Sequence, residues 1–276
     1  MPTRRINGVE LFYEERGAGS PILFHHGYTG SHDGWDPVVP RLADRYRCIV
    51  MDARGAGDSE RPADGYSIAQ YAADVIGMAD ALGLDRFTYV GHSMGGGIGM
   101  WLGLEHAHRL ERLVLVAPIP ADGIQSDPAL HARAAEQRAA GDRDGMLTQR
   151  QAMAARPEEF DESRARRAVE RALSVSDGHF EHSWTAMRDF RVGDRLATLT
   201  TPTLVIAGAA DSLLAANLKD VQRLPNATLH VFSRVGHGVP TDTPERFAEV
   251  IAEFMEHGVV TAATLQARVQ ELTATR

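Results

Sequence analysis

The stretch Phe87-Thr88-Tyr89-Val90-Gly91-His92-Ser93-Met94-Gly95-Gly96-Gly97 constrains this chain more than any other. It opens with four aromatic or β-branched residues of the kind that suit a strand, then breaks abruptly into glycines around one serine. The reading is strand, sharp turn, helix. Gly91, Ser93 and Gly95 meet the pattern Gly-x-Ser-x-Gly, in which glycine on both sides lets neighbouring chain pack close while the serine sits in strained backbone geometry. Such a turn pushes a hydroxyl out to where a substrate can reach it. With 26 glycines in 276 residues the bare pattern is only suggestive, so its setting has to decide.

The setting is an alternation of strands and helices. Asn7-Gly8, between strand formers, signals a two-residue hairpin. Residues 21–27 read as a short apolar strand ending in His25-His26-Gly27, residues 35–42 as a short helix, and residues 46–51 as a strand buried on both faces. Asp52-Ala53-Arg54-Gly55-Ala56-Gly57-Asp58-Ser59 is a glycine-spaced loop; without a third glycine and a helix opening on it, it does not read as a dinucleotide site. Ser67-Ile68-Ala69-Gln70 is a capping box, with Tyr66 and Tyr71 placed as a hydrophobic staple, and Tyr71, Val75, Met78 and Leu82 form the apolar face behind it. After the serine come a helix carrying Ile98, Trp101 and Leu102 and a strand at 112–117. Further strands are expected at 203–208 and 228–232, and a last helix starts near Pro244 and buries Phe247, Val250, Ile251 and Phe254. Continuous apolar strands alternating with helices predict a mostly parallel sheet covered on both faces.

Residues 119–195 break the alternation. Alanine, arginine and glutamate dominate, apolar strand runs vanish, and the segment reads as several helices inserted into the sheet domain. Met146, Met153, Phe160, Phe180, Trp184, Met187 and Phe190 are expected mostly as core between them, with a minority facing a pocket. The expected division is therefore a core domain of residues 1–118 and 196–258, a helical cap of residues 119–195, and a polar tail of residues 259–276.

Composition excludes several classes. A net charge of −8 with no stripe of lysine and arginine argues against nucleic acid as partner, and the Arg164-Ala165-Arg166-Arg167 cluster reads as a solvated helix face. No run approaches membrane-spanning length, and the first residues lack the apolar stretch of a signal peptide. The single cysteine, Cys48, falls in an apolar strand and reads as a small buried hydrophobe. A cytoplasmic protein, monomeric or homodimeric, is the expectation.

A serine hydroxyl is a weak nucleophile until a base takes its proton, and an imidazole base needs a carboxylate to hold its tautomer and stabilise its charge. Asp211 follows the strand ending at Gly208, and His237 lies between glycines after the last strand. With Ser93 they stand in the chain order Ser, Asp, His, each at the carboxyl edge of a parallel sheet. Asp211 also reads as a plain helix N-cap, and Asp122 is a rival acid. His25, His26, His92, His106 and His108 compete with His237. The developing oxyanion needs donors, for which the backbone N–H groups of Met94, at the helix start, and Tyr28, after His26-Gly27, are the candidates. No metal or cofactor is expected; His106 and His108 are spaced so as to point apart on a helix.

Together the His26-Gly27 loop, the Asp52 to Ser59 loop, Gly91-His92-Ser93-Met94-Gly95-Gly96, Gly208 to Asp211 and Gly236-His237 resemble the α/β-hydrolase superfamily, in particular its small capped bacterial esterases, lactonases and C–C hydrolases. The resemblance implies an eight-stranded, mostly parallel sheet with helices on both faces and a helical cap inserted after strand 6. It implies Ser93 as nucleophile, His237 as base and Asp211 as acid, with Asp52 and Arg54 structural. A serine at the elbow departs from the dehalogenase and epoxide hydrolase branches, which use aspartate. Gly27-Tyr28-Thr29-Gly30 departs from the aromatic-proline pair of cofactor-free haloperoxidases. The expected activity is hydrolysis of a carboxylic ester or lactone of a small, mainly apolar substrate, the alternatives being cleavage of a carbon–carbon bond in a diketone-type substrate or a small-molecule sensor on the same scaffold.

Overall fold

In the computed structural model, which describes residues 2–125 and 127–274, Asn7 and Gly8 adopt φ of +49° and +83°. That left-handed pair closes a tight antiparallel hairpin of β1 (Thr3–Ile6) and β2 (Val9–Arg16). Between β3 (Ser20–His25) and β4 (Tyr46–Met51) the chain makes a 3₁₀ turn at His32–Trp35 and a one-turn helix, α1 (Val39–Leu42). The single helix expected over 35–42 does not form. Pro40 inside it would lack a donor and clash with the carbonyl four residues back, whereas in the first turn of a new helix it is tolerated.

Helix α2 (Ile68–Ala81) leads to β5 (Phe87–His92), α3 (Met94–Glu105) and β6 (Leu110–Val116). Ser67 Oγ accepts the Gln70 N–H at 3.1 Å, which is half of the expected capping box. The other half is absent because the Gln70 amide donates to Asp74 instead. Four helices then interrupt the alternation: α4 (Pro128–Ala139), α5 (Arg143–Ala152), α6 (Glu162–Ser174) and α7 (Asp177–Arg188). Each begins on a side-chain cap, from Asp127, Asp142, Asp161 and Ser176 respectively. The alternation resumes with β7 (Thr203–Gly208), α8 (Leu214–Arg223), β8 (Ala227–Phe232), a short α9 (Val239–Asp242), α10 (Pro244–His257) and α11 (Ala262–Ala274).

The eight strands lie in the order β1-β2-β4-β3-β5-β6-β7-β8. β2 is antiparallel to both of its neighbours and every later pairing is parallel. Alternate side chains of the central strands feed two cores. Leu23, Phe87, Tyr89, Leu113 and Leu115 pack with α2, α3 and the insertion on one face. Ile22, Phe24, Val90, Val114 and Val116 pack with Trp35, Phe247, Ile251 and Phe254 on the other. Each such side chain contributes on the order of 2 kcal/mol by leaving water. Phe180, Met187 and Phe190 of the insertion are buried as expected. Met153 is not: it is 75% exposed, because it follows α5, a helix with no buried residue. Arg166 and Arg167 of the basic cluster pair with Glu162 and Ser163 on the same helix face.

Cys48 is fully buried, and burial pushes its thiol up to about 12, so it packs as a hydrophobe. Arg54 and Asp74 form a buried two-bond pair at 2.6 and 2.7 Å, with Asn7 and Gln70 also donating to the carboxylate. Arg54→Leu strands that carboxylate in the core. We expect it to lower unfolding free energy by about 3–5 kcal/mol in denaturant titration, and a loss below about 1 kcal/mol would contradict a structural role for the pair.

Candidate active site

Ser93 sits between β5 and α3 with φ +56° and ψ −111°, a conformation that a residue with a side chain adopts only under constraint. The constraint is visible at both ends of the residue. Its N–H donates to the Val116 carbonyl at 2.8 Å, and its own carbonyl accepts from Gly96, Gly97 and Ile119. The flanking glycines are required by space. A Cβ on Gly91 would lie 2.1 Å from the Gly95 carbonyl oxygen, and one on Gly95 would lie 2.6 Å from that of His25. The Ser93 hydroxyl has no hydrogen-bond partner among the described residues.

The loops after β7 and β8 are laced together. Ala209 N–H donates to Phe232 and Ala210 N–H to Val235, and a Cβ on Gly208 would lie 2.2 Å from the Gly236 oxygen. This close approach sets His237 Nδ1 2.8 Å from Asp211 Oδ2. Because a carboxylate only accepts, Nδ1 carries the proton and leaves Nε2 with a lone pair. The other carboxylate oxygen accepts the Leu213 N–H at 3.0 Å in the turn before α8, but Leu213 and not Asp211 is the N-cap of that helix, so the N-cap alternative is not what the fold shows. Burial alone would raise its pKa; the hydrogen bond from His237, helped by that from the Leu213 N–H, overcomes this and holds Asp211 below the usual carboxylate range. Asp122 is engaged elsewhere, with Arg223 at 2.7 Å.

Gly27 follows β3, and a Cβ there would meet the Ser93 Cβ at 3.1 Å, so the Gly27–Tyr28 peptide runs beside the serine. Its carbonyl accepts from His26 Nδ1 at 2.7 Å and from Gly30 N–H at 3.1 Å. In a trans peptide the N–H points opposite to the carbonyl, so fixing the Gly27 oxygen also aims the Tyr28 N–H. His26 can do this because Ala53 N–H donates to its Nε2 at 3.0 Å, which keeps the proton on Nδ1. Neither the Tyr28 N–H nor the Met94 N–H has an acceptor among the described residues. An unpaired N–H at the start of α3 also carries the positive end of the helix dipole.

Sequence reasoning left His92 as a rival base. Its Nε2–H donates to the His237 carbonyl at 2.9 Å, and burial, then the nearby His237, push its pKa down to about 3. It stays neutral and steadies the loop carrying His237. Asp52 is fully buried and accepts from His32 N–H, His32 Nδ1 and Asp58 N–H. Among the described residues, His32, Asp52 and Asp58 are the one group close enough to share a cation. Of these, Asp58 already pairs with Arg171 at 3.1 Å, and Asp52 holds His32. Ser93, the His237–Asp211 pair and the two unpaired amides thus all lie at the carboxyl edge of one sheet. Nothing in residues 119–195 foretold the polar contacts that α7 makes beside Tyr28. His179 looks in sequence like one more surface-helix residue, and its only signal is an N-capping Ser176 three positions earlier.

The model of the α/β hydrolase fold family matches residues 20–243. The chain is 33% identical over 273 residues to a 2-hydroxymuconate semialdehyde hydrolase of Pseudomonas putida, covering 90% of this chain and 91% of that one. It is 29% identical to a non-heme chloroperoxidase of Streptomyces lividans, over 87% of this chain and 93% of that one. Among solved structures it is similar to Est816, described as an N-acyl homoserine lactone degrading enzyme, at 31% identity and a TM-score of 0.81, with 92% of this chain and 100% of that one covered. Fold, sheet order and sequence thus agree, and the chain belongs to the α/β-hydrolase family of enzymes.

Proposed function

We propose that this protein hydrolyses a carboxylic ester or lactone of a small, mainly apolar substrate through an acyl-enzyme on Ser93, beneath residues 119–195 acting as a cap. The observation that carries the reading is the 2.8 Å bond between His237 and Asp211 at the sheet edge that also holds Ser93 in its constrained turn. His237 Nε2 takes the Ser93 proton as Oγ attacks the carbonyl carbon. The oxygen that gains charge is received by the amides of Tyr28 and Met94, each worth about 3 kcal/mol of barrier. The alcohol departs with the proton from His237. A water then repeats the sequence on the acyl-enzyme and releases the acid.

The apolar substrate class is supported by the aromatic group of Tyr28, Phe180 and Trp184, in which α7 meets the loop beside the serine. Thr29 follows Tyr28 where cofactor-free haloperoxidases carry proline, which weighs against that activity despite the chloroperoxidase likeness. Carbon–carbon cleavage is the second reading, favoured by the likeness to the semialdehyde hydrolase. The same serine, base and amides would serve it.

Steady-state hydrolysis of aryl esters from acetate to laurate tests the proposal. Turnover is expected to fall by at least about 10⁴-fold in Ser93→Ala with the fold intact; an undiminished rate in that variant ends the idea. Activity on β-diketones with none on esters would move the assignment to carbon–carbon cleavage. Asp211→Asn keeps the shape but no longer enforces the His237 tautomer, so kcat should drop by about 10⁴-fold. Because Asp211 is held below the usual carboxylate range, the wild-type acid limb should contain no step from its titration at or above pH 4 or so, the ordinary carboxylate range. Such a step, abolished in Asp211→Asn, would contradict the pairing.

A further inference from the structure

We propose that His179, on α7 of the insertion, is a positioning residue that holds the Tyr28 amide in line with Ser93. The inference rests on the functional reading above and extends it to a side chain outside the expected site.

His179 is a histidine with no exposure at all. Its Nε2 donates to the Tyr28 carbonyl, and the carbonyl of the next residue, Phe180, accepts the Tyr28 hydroxyl. The His179 and Tyr28 rings lie stacked, 5.9 Å apart and 15° from parallel. The first turn of α7 therefore grips the main chain, ring and hydroxyl of one residue. The Tyr28 carbonyl can only accept, so Nε2 carries the single ring proton. On the other side of the ring that tautomer lets the Tyr71 hydroxyl, 2.8 Å away, donate to Nδ1, with the Ser183 hydroxyl 2.6 Å from the Tyr71 oxygen as its donor in turn. Burial lowers the pKa of His179 to about 4, so the ring is neutral where this arrangement is needed. The Arg54 carbonyl, 3.1 Å from Nδ1, is then a neighbour without a shared proton.

The fold makes room for the contact. A Cβ on Gly55 would lie 2.7 Å from the His179 Cβ, and the Gly55 carbonyl accepts the Ser176 N–H at 2.8 Å, docking the start of α7 on the core. A histidine buried only for packing would be satisfied by any acceptor. This one bonds the residue whose own N–H is left without a partner beside the serine. The peptide before Tyr28 is held by the core through His26 and Gly30; the peptide after it is held by the insertion through His179. An amide that waits for a transient charge needs such aiming, since displacements near 1 Å cost about 10²-fold in rate.

The test compares wild type, His179→Ala, His179→Gln and Tyr71→Phe for kcat and KM on an aryl acetate. It also compares their affinity for a trifluoromethyl ketone, which adds Ser93 Oγ to its carbonyl carbon and leaves an alkoxide in the oxyanion position. His179→Ala should lower kcat about 10- to 100-fold with KM changed less than about 3-fold, and weaken the ketone in parallel. Gln can still donate to the Tyr28 carbonyl and should restore most of both. Tyr71→Phe frees the tautomer and should lower both a few-fold. A His179→Ala enzyme with unchanged kcat, a loss confined to KM, or a Gln variant as impaired as Ala would overturn the inference. If His179→Ala does not fold, an unaltered kcat and ketone affinity in Tyr71→Phe does so. Wild type with neither serine-dependent turnover nor ketone binding overturns the functional reading itself, and this inference with it.

Discussion

The backbone of Ser93 is held at positive φ by hydrogen bonds at both its N–H and its carbonyl, and the rest of the site depends on that constraint. The strain is of order 1–3 kcal/mol and persists because the surroundings over-determine it. The acceptor of its N–H is the end of β6, and the donors to its carbonyl include Ile119, where the insertion begins. The turn is therefore locked to β6, the parallel neighbour of the strand it leaves. From this point the parallel order brings the carboxyl ends of β3, β7 and β8 to the same edge.

Around that turn the protein sorts histidines by burial. His25, His26, His92 and His179 are held neutral by desolvation, each pushed below its ordinary range. Three of them use fixed tautomers to hold backbone carbonyls of the site: Gly27, His237 and Tyr28. His237 differs in both respects. Its side chain is 42% exposed and has a buried carboxylate as partner.

Much of this was legible in the chain. The elbow, the hairpin at Asn7-Gly8, the sheet strands and the apolar face of α10 are local features, and local propensity and periodicity carry them. Asp211 and His237 could be proposed because a parallel sheet fixes where strand ends lie. Other features depend on tertiary contacts and left no local mark. Gln70 turns from its cap to Asp74 only because Arg54, Asn7 and that carboxylate meet in the fold. Tyr66 and Tyr71, read as a staple, send their hydroxyls to Ser176 and His179 of α7. Met153 looked like core and is exposed, since apolar periodicity in the alanine-rich insertion is too sparse to identify a buried face. The pinning of Gly27 by His26 follows from tautomers, which residue spacing does not express.

Acylation of Ser93 is read from intact-protein mass after rapid acid quench of the enzyme with an aryl ester, followed by peptide mapping. Under the proposed mechanism a mass increase of one acyl group appears within the first turnover, located on Ser93 and absent from Ser93→Ala. Turnover with no adduct on Ser93, or an adduct on another side chain that persists in Ser93→Ala, would contradict it.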